Sequence, residues 1–320
     1  MRILALVPGG IGDQILFFPT LKDLKVKYPQ ATIDVLVEPR AKSAYRVCQS
    51  VANVVMFDYK DRNSLADYIN LLGVIRDREY DIALTLGQRW TVGFLLWLNG
   101  IPLRVGYKTD SSWFLTNPVT LKQEQYAADM YHDLLQGLGI NQPCTVPEII
   151  VPKPDIEWAE AQQKQLSIKG SGYILIHGGS SQLAQTKGID KIYPVEKWQQ
   201  IIQDIQAKQP DLPIVLLQGP EDAKLVAELT ALCPGVKVTE PEDIGKLAAM
   251  IAGANLMLCT DSAPMHLAVA VETYTIALFG PTDAKKLLPP ENEKCLAIQS
   301  PSGAIADIKP ETVLEQIWRG

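Results

Sequence analysis

The sequence predicts an α/β protein made of two similar halves, each a parallel sheet covered by helices. Three observations predict it. Short apolar runs alternate with helical patterns, the alternation stops at a proline-rich stretch from Asn141 to Asp155, and beyond that stretch it starts again. The length, 320 residues, suits two domains of ordinary size.

The elements follow in order. "RILALV" is a continuous apolar run and reads as a buried strand. A glycine-rich turn, "PGGIGD", leads into a helix through "PTLKDLKVKYP", with Pro19 near its start and Pro29 ending it. "TIDVLVE" and "VANVVMFD" are strands, "SLADYINLLGVIRDREY" has helical spacing, and "DIALTL" is a further strand. Strands that alternate with helices pair in parallel, with both faces covered. "WTVGFLLWLNGIPL", Trp90 to Leu103, is the longest apolar stretch, but Gly, Asn and Pro break it. It falls short of the roughly 18 apolar residues of a membrane span. A buried helix is expected there; the alternative is a surface facing a membrane or an acceptor.

"NQPCTVPEIIVPKPD" holds Pro143, Pro147, Pro152 and Pro154 and reads as the connection between domains. The boundary is placed at 152/153, giving domains 1–152 and 153–320. "EWAEAQQKQLSIKG" is then a polar helix. "GYILIHGGSS", "PIVLLQGPED", "NLMLCTDSAPMH" and "YTIALFGPTD" each run from strand to turn, with helices "VEKWQQIIQDIQAKQ", "AKLVAELTAL" and "IGKLAAMIAGA" between them. The last helix is "PETVLEQIW", opened by Pro310.

Composition excludes several classes. Hydrophobic residues make up 47% and charged residues 21%, as in an ordinary soluble protein. A net charge of −6 argues against wholesale nucleic-acid binding. The five cysteines are odd in number and none form C-x-x-C, which points to a reducing cytoplasm and away from a zinc knuckle. The opening run "ILALV" is too short for a signal segment.

The chemistry is expected where ligands bind in open α/β sheets, beyond the carboxyl ends of the strands. Four such ends in the second half are polar or rich in glycine: "HGGSS", "QGPED", "TDSAPMH" and "FGPTD". In "TDSAPMHLAVAV", Asp261 or Ser262 can cap a helix and Pro264 suits its first turn. The N–H groups of Ser262 and Ala263 would hold a diphosphate, with His266 one turn in as a further donor. The plain alternative is a capped helix with a buried histidine. Gly178 and Gly179 allow close backbone approach, and Ser180 and Ser181 supply hydroxyls. Lys191 would neutralise a leaving phosphate, with Lys187 competing for the role and a solvated loop lysine as the alternative. In the turn that contains Gly219, Glu221 would accept from a ribose hydroxyl, although turn chemistry explains the residue equally well.

Asp13 poses a question of its own. A glycine turn before a helix ordinarily receives a phosphate, and Asp13 would repel one. Gly10 and Gly12 fit G-x-G, but Ile15 stands at the third glycine position of the dinucleotide pattern. So the turn is not expected to bind phosphate. Asp13 either caps the helix or faces the ligand as an ionised carboxylate, ready to accept a proton.

These residues resemble glycosyltransferase family 9, the heptosyltransferases of lipopolysaccharide core assembly. The likeness runs from "GGIGDQILFFPTLKDLKVKYPQATI" through "YHDLLQGLGI", "LIHGGSS", "DKIYPVEKW", "LLQGPED" and "TDSAPMHLAVAVETYTIALFGPTD" to "IKPETVLEQI". It implies a GT-B fold, two Rossmann-like domains with parallel sheets facing across a central cleft. The acceptor would bind the N-terminal domain and a nucleoside-diphosphate sugar, ADP-linked in the heptosyltransferases, the C-terminal one. The final helix, 310–318, would pack back on the first domain. Transfer would invert the anomeric centre without a required metal. Asp13 inherits the role of general base. Lys191 matches the family's leaving-group lysine, Ser180 and Ser181 its phosphate-contacting hydroxyls, and Asp261, Ser262, Ala263 and His266 its diphosphate block. Gly12, Lys60 and Arg62 are the acceptor-side candidates. The chain departs from the family in Ala263, where a glycine is usual, and in lacking the dense Arg/Lys cluster that holds phosphorylated core sugars. A saccharide or glycolipid acceptor, reached at the inner face of the cytoplasmic membrane, is what the resemblance implies.

Three competing readings stand beside it. A GT-B sugar-nucleotide epimerase or hydrolase would want further acid–base residues, and the histidines, His132, His177 and His266, are far apart in sequence. An oxidoreductase would bind NAD on the first domain, with Glu38 on the ribose. A non-catalytic nucleotide-sugar-binding protein would have no need for Asp13 and Lys191 together.

Overall fold

The computed structural model describes residues 1–59, 64–110, 112–179 and 188–319. The chain forms two compact units, Met1–Ile150 and Val151–Gly320.

The first unit is built on β1 (Arg2–Val7), α1 (Ile11–Lys27), β2 (Thr32–Val37), β3 (Asn53–Met56), α2 (Leu65–Arg76), β4 (Ile82–Thr85), α3 (Trp90–Leu98), β5 (Leu103–Tyr107), β6 (Asn117–Val119) and α4 (Ala127–His132). All six strands pair in parallel, in the order β3-β2-β1-β4-β5-β6. Leu4, Leu6, Leu36 and Ala83 of the sheet pack with Leu71 and Ile75 of α2 and Leu96 of α3. Helix α1 starts earlier than the sequence pattern suggests, so Pro19 lies in its middle. The missing N–H forfeits one helical bond there. Seven consecutive residues, Gln14 to Thr20, are buried, and that packing sustains the helix.

Helix α3 departs from the buried helix expected of it. Gly93 and Leu96 face inward, while Trp90, Trp97 and Leu98 are exposed. Phe94 stands between Trp90 and Phe114, with ring centroids at 5.9 and 5.1 Å, and stacks on Trp97 at 5.8 Å. The run is apolar all round, but the unit supplies a partner for only one side of it.

The second unit comprises α5 (Lys153–Gln165), β7 (Ile174–His177), α6 (Val195–Lys208), β8 (Ile214–Leu217), α7 (Ala223–Leu232), β9 (Lys237–Thr239), α8 (Ile244–Ala252), β10 (Leu256–Thr260), α9 (Ala263–Ala270), β11 (Thr275–Phe279), α10 (Ala284–Leu287), β12 (Cys295–Gln299) and α11 (Pro310–Ile317). Its sheet runs β12-β11-β10-β7-β8-β9, again all parallel. Counted from the first strand of each unit, both sheets have the doubly wound order 3-2-1-4-5-6. The order reverses between β1 and β4 in one unit and between β7 and β10 in the other. Those are the points where such sheets open to a ligand.

The last helix packs on the core of the second unit. Val313 is fully buried, and Leu314, Ile317 and Trp318 pack against the core built on Trp198, Ile201, Ile202 and Ile205 of α6. Trp318 Nε1 donates to Asp204 Oδ1 at 2.9 Å. The chain leaves edge strand β12 through a short turn, Ile305–Asp307, whose Ile305 and the following Ile308 enter the same core. This carries α11 onto the face already occupied by α6.

Candidate active site

In the first unit the site residues gather after β1. Gly10 is the N-cap of α1, so Asp13 stands at the third helical position. Its Oδ2 reaches back to accept the Gly10 N–H at 2.7 Å. Gly9 has φ +118°, and a Cβ on it would lie 2.2 Å from that same oxygen. Only glycine fits both the backbone and the space. The other carboxylate oxygen, Oδ1, accepts the hydroxyl of Tyr131 on α4 at 3.0 Å. Burial, with the Asp13 charge behind it, holds that hydroxyl well above its ordinary pKa, so Tyr131 stays a donor. Gln14, fully buried, stitches the turn by donating to the Val7 and Gly10 carbonyls at 3.1 and 3.3 Å. Tyr45 in turn donates to Gln14 Oε1 at 2.6 Å.

One Asp13 oxygen serves the helix end, which is the capping alternative, and the other is held by Tyr131. An ionised carboxylate offers about four lone-pair sites, and two are taken here. A cation also stands by the turn. Arg40 Nε donates to Glu38 Oε2 at 2.8 Å, Glu38 Oε1 accepts the Gly9 N–H at 3.2 Å, and the Arg40 guanidinium lies 3.4 Å from where a Gly10 Cβ would be. Glu38 is thus held by the turn and by Arg40. Gly12 lies in the first turn of α1, half-buried. Lys60 and Arg62 lie outside the described residues.

In the second unit the residues gather after β7, β8 and β10. Asp261 follows directly on β10 and is buried. Its Oδ2 accepts from Lys191 Nζ at 2.5 Å and from Thr282 Oγ1 at 2.8 Å. Of the two candidate lysines, Lys191 is the one seen on the site; Lys187, Ser180 and Ser181 lie outside the described residues. Ser262 occupies the N-cap of α9, yet its side chain does not cap the helix, and neither does that of Asp261. Instead Ser262 Oγ lies 3.1 Å from His177 Nδ1 and 3.1 Å from the Thr260 carbonyl. Ala263 and Pro264 open the helix, and His266 is buried within its first turns.

His177, the last residue of β7, joins this cluster to the turn after β8. Its Nε2 lies 3.1 Å from Asp222 Oδ2, and both side chains are buried. Asp222 Oδ2 also accepts the Gly219 N–H at 3.0 Å. Burial alone would raise the Asp222 carboxyl; the His177 hydrogen bond and charge, with the Gly219 N–H, hold it below its ordinary value. A Cβ on Gly179 would fall 1.6 Å from Asp222 Oδ1, so the residue is glycine because Asp222 occupies the space. Glu221 is exposed beside it. Tyr131, His177, Asp222 and Thr282 are absent from the candidates read in the sequence. His177 and Asp222 did carry a signal, as the last residue of a strand and a turn acid. His132 is elsewhere, buried against Asp23 in the first unit at 2.7 Å. Among the described residues, no group of three or more His, Cys, Asp or Glu is placed to hold a metal ion.

The chemistry on offer is that of group transfer: a held carboxylate beside a glycine turn in one unit, and a helix N-terminus flanked by a lysine–aspartate pair in the other. The comparisons agree. A model of glycosyltransferase family 9 (heptosyltransferase) matches residues 69–317. Photosynthetic NDH subunit of subcomplex B 1, chloroplastic, of Arabidopsis thaliana is 26% identical over 347 aligned positions, covering 100% of this chain and 74% of that protein. Lipopolysaccharide heptosyltransferase 3 of Escherichia coli is 28% identical, covering 85% of this chain and 81% of its own. Among solved structures, Escherichia coli heptosyltransferase WaaC with ADP-2-deoxy-2-fluoro heptose has a TM-score of 0.76 at 19% identity, covering 100% and 99% of the two chains. That likeness is one of fold, GT-B. With the family model spanning most of its length, the chain belongs to glycosyltransferase family 9 and is a sugar-nucleotide-dependent glycosyltransferase.

Proposed function

We propose that this chain moves a heptose-type sugar from an ADP-linked donor to a saccharide or lipopolysaccharide-type acceptor, with inversion. The donor binds the second unit and the acceptor the first. The observation that carries the reading is the Lys191–Asp261 pair beside α9, whose N-cap serine leaves the helix end without a side-chain cap. A helix end of that kind, with a lysine at hand, suits a diphosphate. The names of two similar proteins support the donor and acceptor classes: one is a lipopolysaccharide heptosyltransferase, the other holds an ADP-linked heptose.

In this mechanism the acceptor hydroxyl oxygen attacks the anomeric carbon from the face opposite the diphosphate. Asp13 accepts the hydroxyl proton on one of its unused lone pairs. The bond from the anomeric carbon to the phosphate oxygen breaks, and its electrons leave with the diphosphate. The first-turn N–H groups of α9 and Lys191 stabilise that charge. Gly178, Gly179 and Gly219 line the donor's approach, with Glu221 on the ribose and His266 near the phosphates; Ser180 and Ser181 are assigned to the phosphates by the family motif alone. Gly12 belongs to the acceptor side, and Lys60 and Arg62 are the acceptor candidates read from the sequence. The exposed aromatic face of α3 supports an acceptor with an apolar part. It follows β4, the neighbour of β1, so it begins past the same carboxyl end of the sheet as the Asp13 turn. Such an acceptor would draw the chain to the inner face of the cytoplasmic membrane. Among the described residues no helix is long and apolar enough to cross one.

A calorimetric panel of ADP, UDP, GDP, dTDP, CMP and NAD, on wild type and Asp261→Ala, tests the reading. ADP binding that weakens in the variant supports it. Binding of another diphosphate moves the donor class, and binding of NAD alone overturns it.

A second reading has one observation in its favour, the match over the whole chain to a protein named as an NDH subunit. In that reading the chain works within a larger assembly, and the α3 face is its contact surface. Transfer by the purified chain alone counts against a purely structural role.

A further inference from the structure

Tyr131 and His132 are neighbours on α4, and each bonds to a different carboxylate of α1. The Tyr131 hydroxyl donates to Asp13 Oδ1 at 3.0 Å, and His132 Nε2 shares a hydrogen bond of 2.7 Å with Asp23 Oδ2. Asp13 stands in the first turn of α1 and Asp23 near its other end. At 1.5 Å of rise per residue the two lie about 15 Å apart along the axis. Among the described residues, no other side-chain hydrogen bond joins these helices. Asp23 and His132 are both buried, so water does not compete for their bond.

Helix α4 is six residues long and needs such ties. Its start packs on Leu16, and the Tyr131 ring lies 6.3 Å from that of Phe17. Apolar contact of this kind has no direction, so it holds the helices together while tolerating slide and roll. Tyr107 donates its hydroxyl to the Met130 carbonyl at 2.8 Å, but that bond ties α4 to β5 rather than to α1. A donor and acceptor drawn apart to about 3.6 Å no longer make a hydrogen bond. A slide of well under 1 Å would therefore break the Tyr131 bond, and the second bond, far along α1, opposes that slide.

We infer that His132 is a positioning residue for transfer: its bond to Asp23 fixes the height and roll of α4 on α1 and so keeps the Tyr131 hydroxyl on Asp13. The inference rests on the reading of Asp13 as the base. His132 makes its own bond at Asp23, not at Asp13, so it acts through Tyr131.

The test is a double-mutant cycle read as kcat, with ADP affinity measured alongside. His132→Leu is expected to lower kcat by about tenfold, the loss expected of Tyr131→Phe itself, with ADP affinity unchanged. In the Tyr131→Phe background the same substitution is expected to cost less than about twofold, because no Tyr131 bond is left to misplace. A merely structural histidine lowers the folded fraction instead, and that lowers kcat by the same factor in both backgrounds. Equal losses in the two backgrounds, or no loss in the first, overturn the inference. His132→Leu leaves a buried carboxylate without its partner. Should it not unfold cooperatively, the apolar pair Asp23→Leu with His132→Leu carries the same cycle, and the same two results support or overturn the inference. Absence of transfer by wild type overturns the proposed function, and near-normal turnover in Asp13→Asn overturns the base reading. Both failures are distinct from equal losses in the cycle.

Discussion

Tyr131 donates its hydroxyl to Asp13 Oδ1 at 3.0 Å from 118 positions further along the chain. The two residues meet because α4 packs on α1, with the Tyr131 ring 6.3 Å from that of Phe17. The bond aims the carboxylate, whose other oxygen is tied to Gly10. Tyr131→Phe keeps the ring and removes the bond. A hydrogen bond to a charged group is worth about 1.5 kcal/mol or more, so kcat should fall about tenfold. ADP affinity should stay as in wild type. Equal turnover in the variant would mean that Gly10 alone suffices to aim Asp13.

Asp13→Asn separates positioning from proton transfer. The amide oxygen can still accept the Gly10 N–H, and the amide NH2 can donate to the Tyr131 oxygen, so the turn should keep its shape. It cannot take a proton from the acceptor. Transfer should fall at least about 100-fold with donor binding kept. Near-normal turnover would remove Asp13 as the base.

Gly9→Ala tests the turn itself. The backbone there is at φ +118°, and the new methyl would meet Asp13 Oδ2 at 2.2 Å. The strain should destabilise the first unit by about 1–3 kcal/mol. The carboxylate must also shift, so activity should fall further than stability alone explains. Thermal unfolding and single-turnover rates, measured together, check both parts.

Much of this was legible in the sequence, and the gaps have physical causes. Strands such as Arg2–Val7 and Ile174–His177 are continuous apolar runs because both faces of a parallel sheet are buried. Asp13 in the first turn of α1, Lys191 between β7 and α6, and Asp261 directly after β10 all stand past the carboxyl end of such strands, where local pattern and topology agree. Tyr131 was hidden because nothing near it in sequence points to Asp13. His177 reads as the end of a strand, and only the folded chain brings Asp222 and Ser262 to its two nitrogens. The stripe of Val313, Leu314 and Ile317 announces a packed helix without saying against what. For α3 the apolar run is real, but packing covers one side only. Periodicity cannot tell an uncovered apolar face from a buried one.

The Asp222 carboxyl makes stability depend on acid. Its folded pKa lies below the ordinary value, because His177 and the Gly219 N–H outweigh burial. The unfolded chain titrates near the ordinary aspartate value, about 3.9. Stabilisation is therefore fully present above that value and is lost as the pH falls through the lower, folded one. Asp222→Asn has no charge to lose. Wild type should be the more stable at pH 6, and the gap should narrow on acidification below about pH 4. A gap that stays constant from pH 6 to pH 3 would show that the carboxyl is not preferentially ionised in the fold.

Helix α11 decides which unit the chain end supports. Val313 is fully buried, Trp318 donates to Asp204 of α6, and Lys208 Nζ lies 5.0 Å over the Trp318 ring. Trp318→Ala removes a hydrogen bond, a cation–π contact and part of a buried indole. The loss should be about 2 kcal/mol, below the 3–5 kcal/mol of a fully buried tryptophan because the ring is only partly covered. Hydrogen exchange should show where it falls. Amides of α6 should lose protection, while those of α1 in the first unit keep theirs. Loss at α1 with α6 unchanged would put the last helix on the first unit in solution. Equal loss in both would mean that the units unfold as one.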